Sequence, residues 1–110
     1  MAQSTDEWLT FRSSHLEARV DPLGAQLSVL RDRMGHDLLW SGDPTVWSGR
    51  APLLFPIVGA LAGGKYRWQK TLYELPRHGF ARNKRFDLME STTDSCRLSL
   101  KVRPLYQSRK

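Results

Sequence analysis

The sequence predicts an all-β protein built from antiparallel sheets. Short stretches that alternate apolar and polar residues recur along the chain, and clusters of Gly, Pro, Asn, Asp and Ser separate them. No segment holds a 3.6-residue apolar period long enough for a sustained helix. The most apolar run, Ala51 to Ala62, is broken by Pro52, Pro56 and Gly59. Proline there removes a donor and crowds the preceding turn, so a helix is excluded. A central strand fares little better with two prolines. The run reads as an extended, buried connector that enters and leaves sheet edges.

Taken in order, Trp8–Arg12 and Leu16–Val20 have the period of half-buried strands, with a tight turn at Ser13-Ser14-His15. Asp21-Pro22-Leu23-Gly24 is a second turn, where Pro presets φ and Gly permits a positive one. Ala25–Leu30 continues as a strand with Ala25, Leu27 and Val29 on one face. A turn at Asp32–Gly35 then returns the chain through a strand at Asp37–Trp40. Asp43 is placed to cap a short helical turn over Thr45–Trp47, with Pro44 in its first position. Gly63-Gly64 signals a hairpin between Ala60–Ala62 and Lys65–Trp68. Gln69-Lys70 turns the chain into Thr71–Leu75, and Phe86–Glu90 and Cys96–Val102 are the last strands. Short strands at this spacing indicate a sandwich or barrel.

The 110 residues allow one domain and a modest core. No apolar run reaches the roughly 20 residues of a membrane helix, so no membrane partner is expected. The first seven residues are polar and acidic, unlike a signal peptide. A single cysteine, Cys96, forms no disulfide within the chain and suits a reducing cytoplasm. The net charge of +6 is uneven: residues 1–64 carry −2 and residues 65–110 carry +8. A basic half raises nucleic-acid binding as an option. The basic residues are scattered without any recognition motif, so a solvated surface is the better reading and no nucleic-acid partner is expected. The chain has neither a phosphate-binding loop nor zinc-ligand spacing, and no cofactor is expected.

The motifs worth most lie between Trp47 and Arg82. Trp47-Ser-Gly-Arg-Ala-Pro-Leu-Leu-Phe-Pro-Ile-Val-Gly59 is followed by Gly63-Gly-Lys-Tyr66 and Leu75-Pro-Arg-His-Gly-Phe-Ala-Arg82. With Leu23–Leu30 and Leu38–Pro44 upstream, this series resembles the aldose 1-epimerase (galactose mutarotase-like) family over about Trp8 to Glu90. The resemblance implies an all-β fold that is the N-terminal part of a β-supersandwich, a hexose or hexose phosphate as ligand, and cofactor-independent interconversion of sugar anomers. That chemistry takes a proton from the anomeric hydroxyl and gives one to the ring oxygen. In the family the base is a Glu and the acid a His, both further along the chain than this sequence runs, so no catalytic residue is assigned here. The earlier His-Gly of the family, which contacts sugar hydroxyls, corresponds to His78-Gly79. His78 is the first candidate for sugar binding, and Arg77 and Arg82 beside it are the second and third, as donors to hydroxyls or a phosphate. Without the family pattern His78 reads as a polar turn residue and the arginines as solvated.

Two departures qualify the resemblance. Well-studied mutarotases carry Asn-Arg-Ile before the glycine pair, where this chain has Gly59-Ala60-Leu61, and Ala60 donates nothing. The resemblance also fades after about Leu100, so residues 1–101 are expected to be a partial mutarotase-like domain. Residues 102–110 are then a basic tail read out of the ancestral frame, and the chain is expected to be truncated and inactive. The alternative is a non-catalytic sugar-binding or assembly module. Arg50 is a weak candidate for an anionic sugar. His15 and His36 read as solvated turn residues, and Glu74 and Glu90 as outward strand residues. Of Trp40, Trp47, Tyr66 and Trp68, at least three are expected in the core.

Overall fold

The computed structural model of the chain describes residues 7–101. The expectation for the tail at 102–110 lies outside the described residues. Seven strands run in the order β1 (Leu9–Arg12), β2 (Leu16–Asp21), β3 (Gln26–Asp32), β4 (Lys65–Trp68), β5 (Thr71–Glu74), β6 (Asp87–Ser91) and β7 (Cys96–Ser99). Two three-residue 3₁₀ turns, Ala62–Gly64 and Ala81–Asn83, lie between the strands. The predicted all-β antiparallel class therefore stands. The strands form a three-stranded sheet, β1-β2-β3, and two two-stranded sheets, β4-β5 and β6-β7.

The first sheet follows its sequence closely. Leu9 faces Val20 and Arg12 faces Glu17 across β1 and β2, while Ala18 faces Leu30 across β2 and β3. Ser13 closes the first turn by accepting the amides of His15 and Leu16 on its hydroxyl, both at 3.2 Å. Asp21 shapes the second by accepting the Leu23 amide at 2.9 Å, the usual local use of an aspartate in a turn. Strand β3 starts at Gln26, because Ala25 has φ +48 and leaves the ladder. The buried residue of β3 is Ser28, on the face opposite Leu27 and Val29.

Beyond β3 the turn forms as expected, with Asp32 Oδ1 accepting the amides of Met34 and His36 at 2.9 Å each. The strand expected at Asp37–Trp40 does not form. It is reduced to an isolated Arg31–Asp37 bridge, made by the Leu38 amide donating to the Leu30 carbonyl at 2.7 Å and the Asp32 amide donating to the His36 carbonyl at 3.0 Å. Asp43 caps one helical turn, as its position predicts: its carboxylate accepts the amide and hydroxyl of Thr45, and its carbonyl accepts the amides of Val46 and Trp47.

The connector is extended but not buried: Leu53 is 45 %, Phe55 54 % and Val58 76 % exposed. Its entry is pinned to β3 by Gln26, whose side-chain oxygen accepts the Arg50 and Ala51 amides at 2.7 and 2.9 Å. The Gly63-Gly64 hairpin also fails to form. These glycines lie in the first 3₁₀ turn, and the hairpin is β4-β5, closed by Gln69-Lys70 with φ of +51 and +68. A two-residue connection with both φ values positive is the type I′ turn that matches strand twist.

The core is small. Ala18, Val20, Tyr73, Leu75 and Ala81 are its apolar members, with Asp21 and Ser28 buried beside them. None of Trp40, Trp47, Tyr66 and Trp68 belongs to it; each is at least 40 % exposed. Tyr66 instead stacks on its cross-strand partner Tyr73 at 5.3 Å. Such a pair contributes about 0.5–1.5 kcal/mol beyond area burial. The Cα radius of gyration is 16.9 Å, against about 13 Å for a compact domain of this size.

Candidate functional site

The segment Pro76–Arg82 leaves β5 and turns at once. The Gly79 amide donates to the Pro76 carbonyl at 2.9 Å, closing a four-residue turn with His78 in third place at φ +65. A positive φ in that position normally calls for Gly or Asn. A histidine held there stores strain, and such outliers gather where a side chain has a task. Gly79 follows at φ +74, and a Cβ on it would overlap the Phe55 carbonyl and the Pro56 ring. Only glycine fits, and it brings the turn against the connector.

The contact is continuous. Phe55 bridges Gly79 in parallel, and its carbonyl accepts the amides of Phe80 and Ala81 at 2.9 and 3.2 Å. The rings of Phe55 and Phe80 meet edge to face at 6.4 Å. Gly59 and His78 bond twice: the His78 amide donates to the Gly59 carbonyl, and the Gly59 amide donates to His78 Nδ1, both at 2.8 Å. Downstream, the turn between β2 and β3 holds the segment from the other side. Gly24 donates to the Lys84 carbonyl at 2.7 Å, Phe86 donates to the Pro22 carbonyl at 2.9 Å, and Leu23 bridges Arg85.

The structure thus places His78 half-buried on a framed turn, Arg77 exposed beside it, and Arg82 half-buried after it. It brings Arg82 back toward the turn, where Nη2 approaches the Arg77 carbonyl at 3.5 Å. Arg50 is elsewhere employed. Its Nη1 donates to the Ser28 carbonyl at 2.6 Å, and its guanidinium lies over the Trp8 ring at 5.1 Å, so it is a packing residue between connector and first sheet. Ala60 is exposed and offers no donor. Glu90 pairs with Arg97 at 2.9 Å, and His36 with Asp32 at 3.1 Å, both on the surface.

Sequence reasoning missed Gly59 as the partner of His78. A backbone donor leaves no side-chain signature, and only the break it makes in the apolar run hinted at a special position. A concavity of about 470 Å³ lies between the β1-β2 turn and Arg31–Asp37, and shares no residue with the His78 turn. Four of its charged groups pair across it, Arg12 with Glu17 and Arg31 with Asp37. Among the described residues no three His, Cys, Asp or Glu side chains gather as metal ligands.

This all-β architecture is that of the galactose mutarotase-like proteins. The galactose mutarotase related enzyme from Lactobacillus acidophilus superposes with a TM-score of 0.85 and 29% identity, covering 91% of this chain and 34% of that one. A galactose mutarotase-like protein from Lactobacillus casei superposes with a TM-score of 0.75 and 32% identity, over 78% of this chain and 30% of that one. The aldose 1-epimerase family profile matches residues 7–106, and the chain belongs to that family. The match runs past Leu100, after which the quoted motifs fade. The plasmid-encoded LacX protein of Lactococcus lactis subsp. lactis is 36% identical over 98 residues, 84% of this chain and 33% of that protein. The chain spans about a third of the length of these relatives. No helix among the described residues is long and apolar enough to cross a membrane.

Proposed function

We propose that the chain is the N-terminal, sugar-binding part of an aldose 1-epimerase-like protein, that it binds a hexose or hexose phosphate through His78 with Arg77 and Arg82, and that alone it does not turn its ligand over. The observation that carries this reading is the strained, doubly bonded His78 turn in a chain of that family. The geometry suits recognition: a half-buried imidazole on a rigid frame, with two guanidinium groups at hand for hydroxyl or phosphoryl oxygens. The expectation of no turnover draws on the chemistry of the reaction. Mutarotation needs a base at the anomeric hydroxyl and an acid at the ring oxygen, and no carboxylate stands between Pro76 and Phe86 to be the base. In this reading residues 1–101 are part of a larger mutarotase-like domain, and the protein works in the cytoplasm.

Titration of the purified chain with D-galactose and with galactose 6-phosphate, followed by NMR, tests the binding. Saturable shifts at residues 76–82 that vanish in His78→Ala are expected. Polarimetry of fresh D-glucose or D-galactose tests the rest: no acceleration of mutarotation is expected, and an acceleration lost in His78→Ala would overturn the inactive reading. A second reading, an assembly module, draws on the exposed apolar residues of the connector and of β4-β5. It predicts association without any response to sugar.

A further inference from the structure

We infer that His78 meets its ligand as a hydrogen-bond donor only, through Nε2–H, because the backbone amide of Gly59 fixes the imidazole tautomer. An amide N–H donates and never accepts, so its 2.8 Å approach to Nδ1 requires a lone pair there. A neutral imidazole with its lone pair at Nδ1 carries its proton at Nε2. The second bond between the same residues, from the His78 amide to the Gly59 carbonyl at 2.8 Å, holds the root of the ring and leaves it little freedom to turn over. Nε2 has no partner among the described residues, and it is not one of the enclosed side-chain nitrogens that lack one. It therefore opens toward solvent, where a ligand arrives.

The ligand half of this inference rests on the sugar-binding reading and narrows it. The atom that faces Nε2–H is an oxygen lone pair of a hydroxyl, a ring oxygen or a phosphoryl group, and not a hydroxyl proton. His78 in this state takes no proton through Nε2, so a role as general base is closed to it. The neighbours extend the pattern: Arg77 and Arg82 are donors without acceptor capacity, and Pro76, Gly79, Phe80 and Ala81 bring no side-chain acceptor. The turn is a donor surface for oxygen-rich ligands, and Gly59 is a positioning residue that acts through its backbone.

Long-range ¹H–¹⁵N correlation spectra of the uniformly labelled chain test the tautomer without any ligand. They are recorded at about pH 8, above the ordinary imidazole range, and the His78 signals are assigned by their loss in His78→Gln. Nδ1 is expected to resonate as an unprotonated ring nitrogen and Nε2 as a protonated one. A protonated Nδ1, or averaged shifts from two tautomers, overturns the inference. D-galactose is then added, and saturable movement of Nε2 and its proton is expected while Nδ1 stays unprotonated. If the tautomer is as stated but neither galactose nor galactose 6-phosphate moves Nε2, the sugar reading fails and the Gly59 assignment survives it. His78→Asn supplies a further check. It offers Gly59 an acceptor of similar reach but no donor at the Nε2 position. It is expected to keep the Gly59 amide shift and lose the galactose response, whereas a purely structural His78 would leave that response intact.

Discussion

At the scale of single residues, Gly79 and Gly35 make a controlled pair. Both have positive φ, +74 and +88, but a Cβ on Gly79 meets the Phe55 carbonyl whereas one on Gly35 meets nothing within 4 Å. Gly35→Ala is expected to cost about 1 kcal/mol, the backbone penalty alone. Gly79→Ala is expected to cost more than about 2 kcal/mol and to separate the turn from the connector. Urea denaturation of the two variants checks both. Asp43 and Asp32 define the acid limit. The amide and hydroxyl of Thr45 hold the Asp43 carboxyl below its ordinary 3.8, and the His36 amide, with the His36 ring and the Met34 amide helping, does the same for Asp32. A depressed carboxyl stabilises the fold above its unfolded value and loses that contribution as pH falls through the folded one. These turns are therefore expected to persist at pH 4 and to open below it. The Thr45 amide resonance reports this, and Asp43→Asn removes its acid titration. His78 was a candidate at this scale because the resemblance singled out the His78-Gly79 pair. Its partner Gly59 was not, because what matters there is a backbone N–H.

At the scale of elements, strands were readable wherever alternation and a short turn coincided, as in β1, β2, β6 and β7. The error at Gly63-Gly64 has a physical cause. Their φ values, +65 and +71, are what a type I′ turn uses, but glycine advertises permissiveness rather than use. No strand precedes them, and the Gly64 carbonyl instead accepts the Leu75 amide at 2.9 Å, extending the ladder of β4 and β5. Gln69 and Lys70 make the real turn while paying for positive φ with ordinary side chains. Replacing them by Asn-Gly is expected to stabilise the hairpin by about 1 kcal/mol, measured as a higher urea midpoint with an unchanged slope. The strand expected at Asp37–Trp40 failed for a related reason: apolar residues there have no second neighbour to pair with. The backbone bridge at Asp37 and the 2.7 Å bond from the Arg31 side chain to Asp37 keep the segment beside β3.

At the scale of the whole molecule, the class was legible and the packing was not. Local pattern determines whether a stretch is a strand, but burial depends on what lies across from it. The aromatics Trp40, Trp47, Tyr66 and Trp68, of which at least three were expected inside, are exposed because the described sheets do not cover them. Two-stranded sheets have edges on both sides, and open edges beside apolar residues invite pairing between chains. The purified chain is expected to self-associate as its concentration rises, and Leu72→Lys, at a half-exposed position of β5, to weaken that association several-fold. Sedimentation velocity across a concentration series decides; a monomer at every concentration would contradict the expectation. The bonds from the Phe86 amide to the Pro22 carbonyl and from the Gly24 amide to the Lys84 carbonyl carry one more consequence, for the order of events during synthesis. They close a loop on the order of sixty residues, whose entropic cost falls due before its contacts can repay it. A nascent chain halted short of Phe86 would hold every residue of the His78 turn and lack the downstream half of its frame. The turn is thus framed from both sides only after Phe86 has been added.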